Sequence, residues 1–407
     1  MKRFHYAWAI VLACFLCCFS YGVFYSFGVF FKHLQAEFGW SRGLTSTIHS
    51  LHWIFFPISS LIVGWLSDKY GPKLPLIGGA TLLSLGTVLL SRVQSPSQFY
   101  IFYALASLGS GVIWSLPTAT VQRWFVKRRG LALGIVASGV GVSYTVSPLS
   151  SFLISGFGWR TAYLILGSGT WLILAFASWV IAASPEKKGL KPYGSEGETS
   201  LPTNSSPEGW EAKEAVRTFT LWQICAMYVC HLFAVTVIVV HLVNFATDLG
   251  IIEVHAATAW FTVGLFSIPG RVFGGYMGER IGYRRGFALC CLANTLLLLL
   301  LPGVNSLWML FLFVPFYGLF YGGQTPMLPG LFADYFGLKP LSTLVGLQLF
   351  TGMLGGATGP LFAGFIFDTF QNYSIAFIAA SFFWALSALL AIFLKKPRKR
   401  QGAKVKF

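Results

Sequence analysis

Apolar positions along this chain do not alternate, and they do not form stripes. They come in long unbroken runs, separated by short polar segments rich in Lys, Arg, Gly and Pro. A helix rises 1.5 Å per residue, so about 20 apolar residues cross a bilayer's hydrocarbon core. Twelve runs reach that length. In the first half they cover 7–31, 44–66, 74–93, 98–121, 131–154 and 160–182. In the second they cover 219–247, 256–277, 287–303, 307–333, 341–366 and 374–394. The expected fold is an all-α membrane protein of twelve transmembrane helices. A polar stretch, "SEGETSLPTNSSPEGWEAKEA", divides the two sets of six. Its composition cannot bury a core, so it reads as a linker with a short surface helix near 207–215. The expected organisation is a six-helix half over 1–183, a linker over 184–217, a second half over 218–396 and a basic tail over 397–407.

Composition sharpens the class. Of 407 residues, 55% are hydrophobic, 17% aromatic and only 10% charged. A soluble domain cannot hide so much apolar surface. The net charge of +16 does not point to nucleic acid, because its cations sit in the short connections, where they set membrane orientation. With the N-terminus inside, 24 of the 29 Lys and Arg fall in cytoplasmic loops, the linker and the two ends. Four more, Lys32, Arg42, Arg92 and Arg160, lie near outer ends of spans. The expected location is therefore an inner (plasma) membrane, with both termini cytoplasmic. The basic tail "KKPRKRQGAKVKF" suits anionic lipid. All seven cysteines fall in apolar runs and read as packing residues. No nucleotide loop, metal cluster or other enzyme motif stands out, so neither enzymatic activity nor a cofactor is expected.

The two halves resemble each other. "GWLSDKYGPK" (Gly64–Lys73) and "GYMGERIGYRR" (Gly275–Arg285) each follow the second span of their half. Asp68 and Glu279 are 211 residues apart, as are Phe125 and Phe336. Parallel repeats of this kind build transporters whose site lies between the halves.

One cation remains, Arg271, inside the eighth run in "SIPGRVFGG". Arginine at a helix centre costs about 2.5–3.5 kcal/mol on insertion scales. None of the 13 acidic residues lies deep in a span, so its counter-ion is a candidate substrate anion, which the guanidinium fork binds bidentately. The alternative is a structural arginine satisfied by backbone carbonyls. Arg271 lies roughly 22 Å from the outer end of its span. At similar depth in the tenth span, Tyr317, Tyr321 and Gln324 share one helix face. Tyr321 and Gln324 are candidate substrate contacts. His231 is a third and a candidate proton relay. Tyr21 and Trp114 could wall the site, and His49 and His52 could line the outer path. Pro269 is expected to kink the eighth helix.

These segments resemble the major facilitator superfamily. "GWLSDKYGPK" is similar to that family's signature between its second and third helices. The resemblance implies that Asp68, Lys73, Glu279, Arg128 and Arg129 latch the halves in one state. "WFVKRRGLALGIVASGVG" (Trp124–Gly141), "YSFGVFF", "EFGWSR" and "GPLFAGFIFD" narrow the resemblance to bacterial monocarboxylate transporters and the related oxalate–formate exchangers. The chain departs from them at three places. Tyr25 stands where the animal branch has a lysine, and Ser267 where an aspartate often precedes the arginine. The eleventh run has no lysine, which dicarboxylate exchangers use. One cation suits one carboxylate. The expected function is proton-coupled transport of a small monocarboxylate (lactate or pyruvate type) by a monomer. The alternatives are organic-anion exchange and a membrane receptor that transports nothing.

Overall fold

The computed structural model describes residues 5–39, 42–195 and 210–397. Most of the linker and the tail from 398 onward lie outside them. Within hydrocarbon every backbone N–H and C=O must be satisfied inside its own segment, so the apolar runs become helices.

The first span is broken into Tyr6–Phe19, Gly22–Tyr25 and Phe27–Phe38. The second and third are Arg42–Tyr70 and Lys73–Leu90. The fourth runs Pro96–Gly109, a 3₁₀ turn Ser110–Ile113, then Ser115–Trp124. The fifth begins at Arg129–Val142 and continues into Val146–Val180. That last helix is two crossings joined end to end, because Gly158 sits at φ 79° and ψ 157° inside it. Its contacts with the first span show the reversal. Ser147 bonds the Tyr25 carbonyl, Arg160 pairs with Glu37, and the Val180 carbonyl accepts from Tyr6.

The second half comprises Phe219–Asp248, Glu253–Ile281, Tyr283–Leu300, a tenth span of Leu307–Gln324 and Met327–Phe336, then Leu341–Phe370 and Ser374–Ile392. Among the described residues, ten helices are apolar and long enough to cross a membrane, counting 129–180 once. Its division at Gly158 and the helix Glu253–Ile281 bring the crossings to twelve, as the sequence predicts. Pro269 lies inside the eighth helix, which continues through it to Ile281.

Two apolar cores form, one largely from each set of six spans. Large side chains such as Trp179 and Trp308 remain exposed on the outside, as expected for a surface solvated by acyl chains. The predicted linker helix is Ala212–Val216, closed by a capping box between Glu211 and Glu214. The linker is held at both ends by phenylalanines of the internal repeat. Tyr193 packs on Phe125 at 5.3 Å, and Trp210 packs on Phe336 at 5.8 Å.

The halves meet through glycine. The fifth and eighth spans touch backbone to backbone at Gly130 and Gly275, and Gly134 faces the Arg271 carbonyl. The second and eleventh meet in the same way at Gly64 against Ser342 and Gly346 against Ser60. A side chain at any of these glycines would meet the facing backbone, so the four spans close tightly at the end that carries the basic loops. Among the described residues, the hydrogen bonds and ion pairs that join the halves all lie at this basic end.

Candidate substrate site and latch

A cavity of about 130 Å³ lies between the halves. Arg271, Tyr321, His231, Tyr21 and Trp114, five of the six predicted contacts, all line it. Local breaks in the helices present three of them. Tyr21 occupies the interruption of the first span, between Phe19 and Gly22. Trp114 has φ −121° and ψ −59°, where the fourth span changes from 3₁₀ to α. Tyr321 lies one turn before the tenth span breaks, at Thr325–Pro326.

Arg271 is 1% exposed. Two glycine-lined grooves make room for it. On one side Gly270, Gly274, Gly318 and Gly322 draw the eighth and tenth spans together; on the other Gly141 of the fifth span faces its guanidinium. Nη1 donates to the Ser267 hydroxyl, which itself donates to the Gly264 carbonyl at 2.6 Å. Cζ lies 5.6 Å from the Tyr321 ring centroid, a cation–π distance. Nε has no hydrogen-bond partner, and among the described residues no carboxylate pairs with the side chain. A buried charge that is only partly satisfied is costly. An anion in the cavity would complete it.

His231 faces the cavity from the seventh span. Its Nδ1 is 2.8 Å from Gln324 Oε1. Because an amide oxygen only accepts, Nδ1 carries the proton and Nε2 is left as the acceptor. Trp384 meets the ring edge-on at 4.8 Å and Tyr228 stacks on it at 5.5 Å. Gln324 is therefore corrected from a substrate contact to the residue that orients His231. Three residues beyond Tyr321 on the same helix, its side chain turns about 60° away from the cavity. Tyr317 is likewise buried behind Tyr321, with its ring 6.1 Å away. On the facing half, the Tyr21 hydroxyl pairs with His52 Nε2 at 2.9 Å. The side chain of His49 lies outside the described residues.

Several lining residues carried no sequence signal strong enough to be chosen. Trp53 and Phe56 are aromatic residues in a chain full of them. Tyr228 could have been found from its i, i+3 spacing to His231. Gln348 of the eleventh span, 1% exposed and with its Oε1 unpartnered, is an isolated amide in an apolar run.

At the basic end, Asp68 of the second span accepts four bonds. Arg123 donates to it at 2.7 Å, the Thr343 amide and hydroxyl at 2.8 Å each, and the Ser342 amide at 3.3 Å. The two amides open the eleventh helix, where orphan N–H groups and the helix dipole favour an anion. Glu279 does the same for the fifth helix, accepting from the Arg128 amide at 2.8 Å. Arg129 reaches Asp334 at 3.6 Å. Two predicted latch residues are corrected. Arg128 takes part through its backbone, at φ 61°, and not through its charge. Lys73 is exposed at the start of the third span and holds no partner across the halves among the described residues. Arg123, which the sequence did not single out, takes the position expected of Lys73. It bonds both Asp68 and the Leu338 carbonyl.

Comparison with known proteins agrees with this architecture. The model of the Major Facilitator Superfamily matches residues 13–251 and 224–406. Monocarboxylate transporter 12 of Mus musculus is 26% identical, the match covering 99% of this chain and 88% of that protein. The Oxalate:formate antiporter of Oxalobacter formigenes is 25% identical over 92% of this chain and 90% of its own. Among solved structures, the E. coli fucose:proton symporter superposes with a TM-score of 0.74 at 15% identity, covering 96% of this chain and 100% of that one.

Proposed function

Because the chain belongs to the major facilitator superfamily, whose members are non-enzymatic carriers, we propose that it is a proton-coupled monocarboxylate transporter working by alternating access, with Arg271 as the carboxylate site. The observation that carries this reading is the guanidinium buried between the halves with no acidic partner among the described residues. Its relatives include both monocarboxylate transporters and an oxalate–formate antiporter. The cavity wall holds one permanent cation, which favours one carboxylate over two.

On this reading a small acid of the lactate or pyruvate type enters from the face opposite the basic end. Its carboxylate replaces the missing counter-ion, the glycine contacts and the latches at Asp68 and Glu279 part, and the halves rock to release it into the cytoplasm. Moving one anion inward against a negative-inside potential costs about 2.3 kcal/mol per 100 mV. A proton carried with it removes that term. His231 Nε2 is the proton's seat. Around it stand Tyr228, Tyr321, Trp384, Phe287 and Gln324, with Arg271 on the same cavity wall. Among the described residues, no acid lines the cavity beside it. The basic loops and both termini lie in the cytoplasm, and the protein resides in the plasma membrane. The basic tail rests on anionic lipid.

Uptake of labelled monocarboxylate into proteoliposomes under an imposed pH gradient tests the reading. Uptake abolished by a protonophore supports symport. Uptake that requires an anion on the far side supports exchange, and no flux of any organic acid removes the transporter reading altogether.

A further inference from the structure

The charge bias that leaves one face poor in cations has exceptions, and two of them converge. Arg92 follows the third span, and Arg160 opens the sixth crossing after the break at Gly158. Both line one surface pocket of about 300 Å³, together with Ser91, Gln94, Thr161 and Leu164. It lies at the end opposite the latch. The side chains of Lys32 and Arg42, the other two cations near outer ends, lie outside the described residues.

Arg160 is held in place. It pairs with Glu37 of the first span and donates to the Val93 carbonyl at 3.1 Å. Its guanidinium also lies over Trp159 at 4.2 Å and Phe38 at 5.8 Å. Trp159 donates to the second oxygen of Glu37 at 2.6 Å. Arg92 is exposed and has no ion-pair partner among the described residues. Two guanidiniums against one carboxylate leave one positive charge at the pocket. Away from it the surface turns apolar on both spans. Leu85 lies about two helical turns from Arg92, and Leu164 and Trp171 lie about one and three turns from Arg160; all three are exposed. The two spans touch at Gly167, where a side chain would meet Val88 and the Ser84 carbonyl, so these apolar faces adjoin.

Guanidinium forks suit phosphate, aromatic rings mark headgroup depth, and the apolar faces suit acyl chains. We infer that this pocket binds a phospholipid of one net negative charge, in the leaflet facing away from the latch. Its phosphate lies between Arg92 and Arg160, and its chains lie along Leu85 and Leu164. The lipid ties the third span to the sixth and, through Glu37, to the first.

The test places the full-length protein in phosphatidylcholine vesicles holding a trace of phosphatidylglycerol with a photoreactive group near its headgroup. A parallel sample holds photoreactive phosphatidylcholine instead. After illumination, labelled peptides are identified by mass spectrometry. Phosphatidylglycerol should label the segments around 85–92 and 160–171 at least about tenfold more than phosphatidylcholine does, the scale of one charge-assisted hydrogen bond. Arg92→Gln should remove that excess and leave labelling at the basic end unchanged, which shows that the variant is folded. Arg92→Lys should keep most of it. Equal labelling by the two lipids, or an excess that survives Arg92→Gln, overturns the inference. Soluble glycerol 3-phosphate should not compete. Suppression by it assigns the pocket to a free phosphate ester and overturns the lipid as its source.

Discussion

Replacing Arg271 with glutamine removes the charge and keeps a polar side chain of similar reach. Truncating one member of a buried, hydrogen-bonded charge pair costs about 2–5 kcal/mol. At 1.4 kcal/mol per decade, that is roughly 30- to several-thousand-fold in affinity. Arg271→Lys keeps the charge and loses the planar fork. One charge-assisted hydrogen bond lost in this way is worth about 1.5–3 kcal/mol, so an intermediate defect is expected. Counterflow in proteoliposomes measures half-saturation with no driving force, which separates binding from proton coupling. A second readout runs the other way. In the empty protein Nε lacks a partner and the guanidinium meets only a serine hydroxyl and a tyrosine face. Removing it should therefore stabilise the unliganded fold by about 0.5–2 kcal/mol, the range common for a single stabilising substitution. Arg271→Gln in detergent should thus unfold at a higher temperature than the wild type while losing the rise that substrate gives the wild type. A variant that binds within threefold of the wild type refutes the site. A variant that also unfolds at a lower temperature supports the structural alternative, in which Arg271 holds the helices together.

His231→Gln should leave counterflow measurable yet abolish uptake driven by a pH gradient; gradient-driven uptake at the wild-type rate removes His231 as the proton's seat. Asp68→Asn weakens four bonds at the basic end. It should raise maleimide labelling of a Leu328→Cys variant in a cysteine-free background by about tenfold, the equivalent of one charge-assisted bond; unchanged labelling means the latch does not set the resting state. Gly141→Val places a side chain against Ile268 and the Arg271 guanidinium. Because it moves the cation without removing it, half-saturation should rise by at least about tenfold with the thermal unfolding profile unchanged in shape, and wild-type affinity would show that Arg271 is not positioned by the fifth span.

The membrane class, the twelve crossings and the lone arginine were legible because each rests on a one-dimensional property: run length, composition, or a charge where none is tolerated. The repeat was legible because both copies kept an acid, a glycine and cations at one offset. Choices among chemically equivalent neighbours were not. Lys73 stands in the same loop as Asp68, whereas Arg123 is one of several cations two spans further on. Only packing shows that Arg123 reaches Asp68, while Lys73 starts a helix that turns away. Gln324 shared a helix face with Tyr321 on paper, but that helix ends at Gln324 and its amide turns to His231. Trp53 and Phe56 were invisible for the opposite reason. With 17% aromatic residues, ring position carries no information until the tertiary fold selects it. The breaks at Tyr21 and Trp114 stand beside Gly22 and Gly111, but with 44 glycines in the chain a glycine alone marks no particular position as a break.

The repeat that governs the latch is abandoned at the site. Asp68 and Glu279 are 211 residues apart, and each accepts from the first amides of a helix in the other half. Gly64 against Ser342 repeats as Gly275 against Gly130, and Gly346 against Ser60 repeats as Gly134 against Arg271. The same offset pairs Arg271 with Ser60, Gln324 with Ile113, Thr325 with Trp114 and Ser267 with Phe56. Every polar partner in the second half thus corresponds to an apolar or small residue in the first. The two requirements differ physically. A latch must let two halves separate along a shared axis, which symmetric contacts do with least distortion. An anion site must keep its charge compensated in both end states. If cationic groups stood on both halves, rocking would pull them off the carboxylate in one state or the other. With the charge carried by one half alone, the carboxylate can stay on Arg271 throughout while the apolar wall of the other half slides past it. Dispersion and hydrophobic contacts have no direction to lose, so that sliding adds little to the barrier.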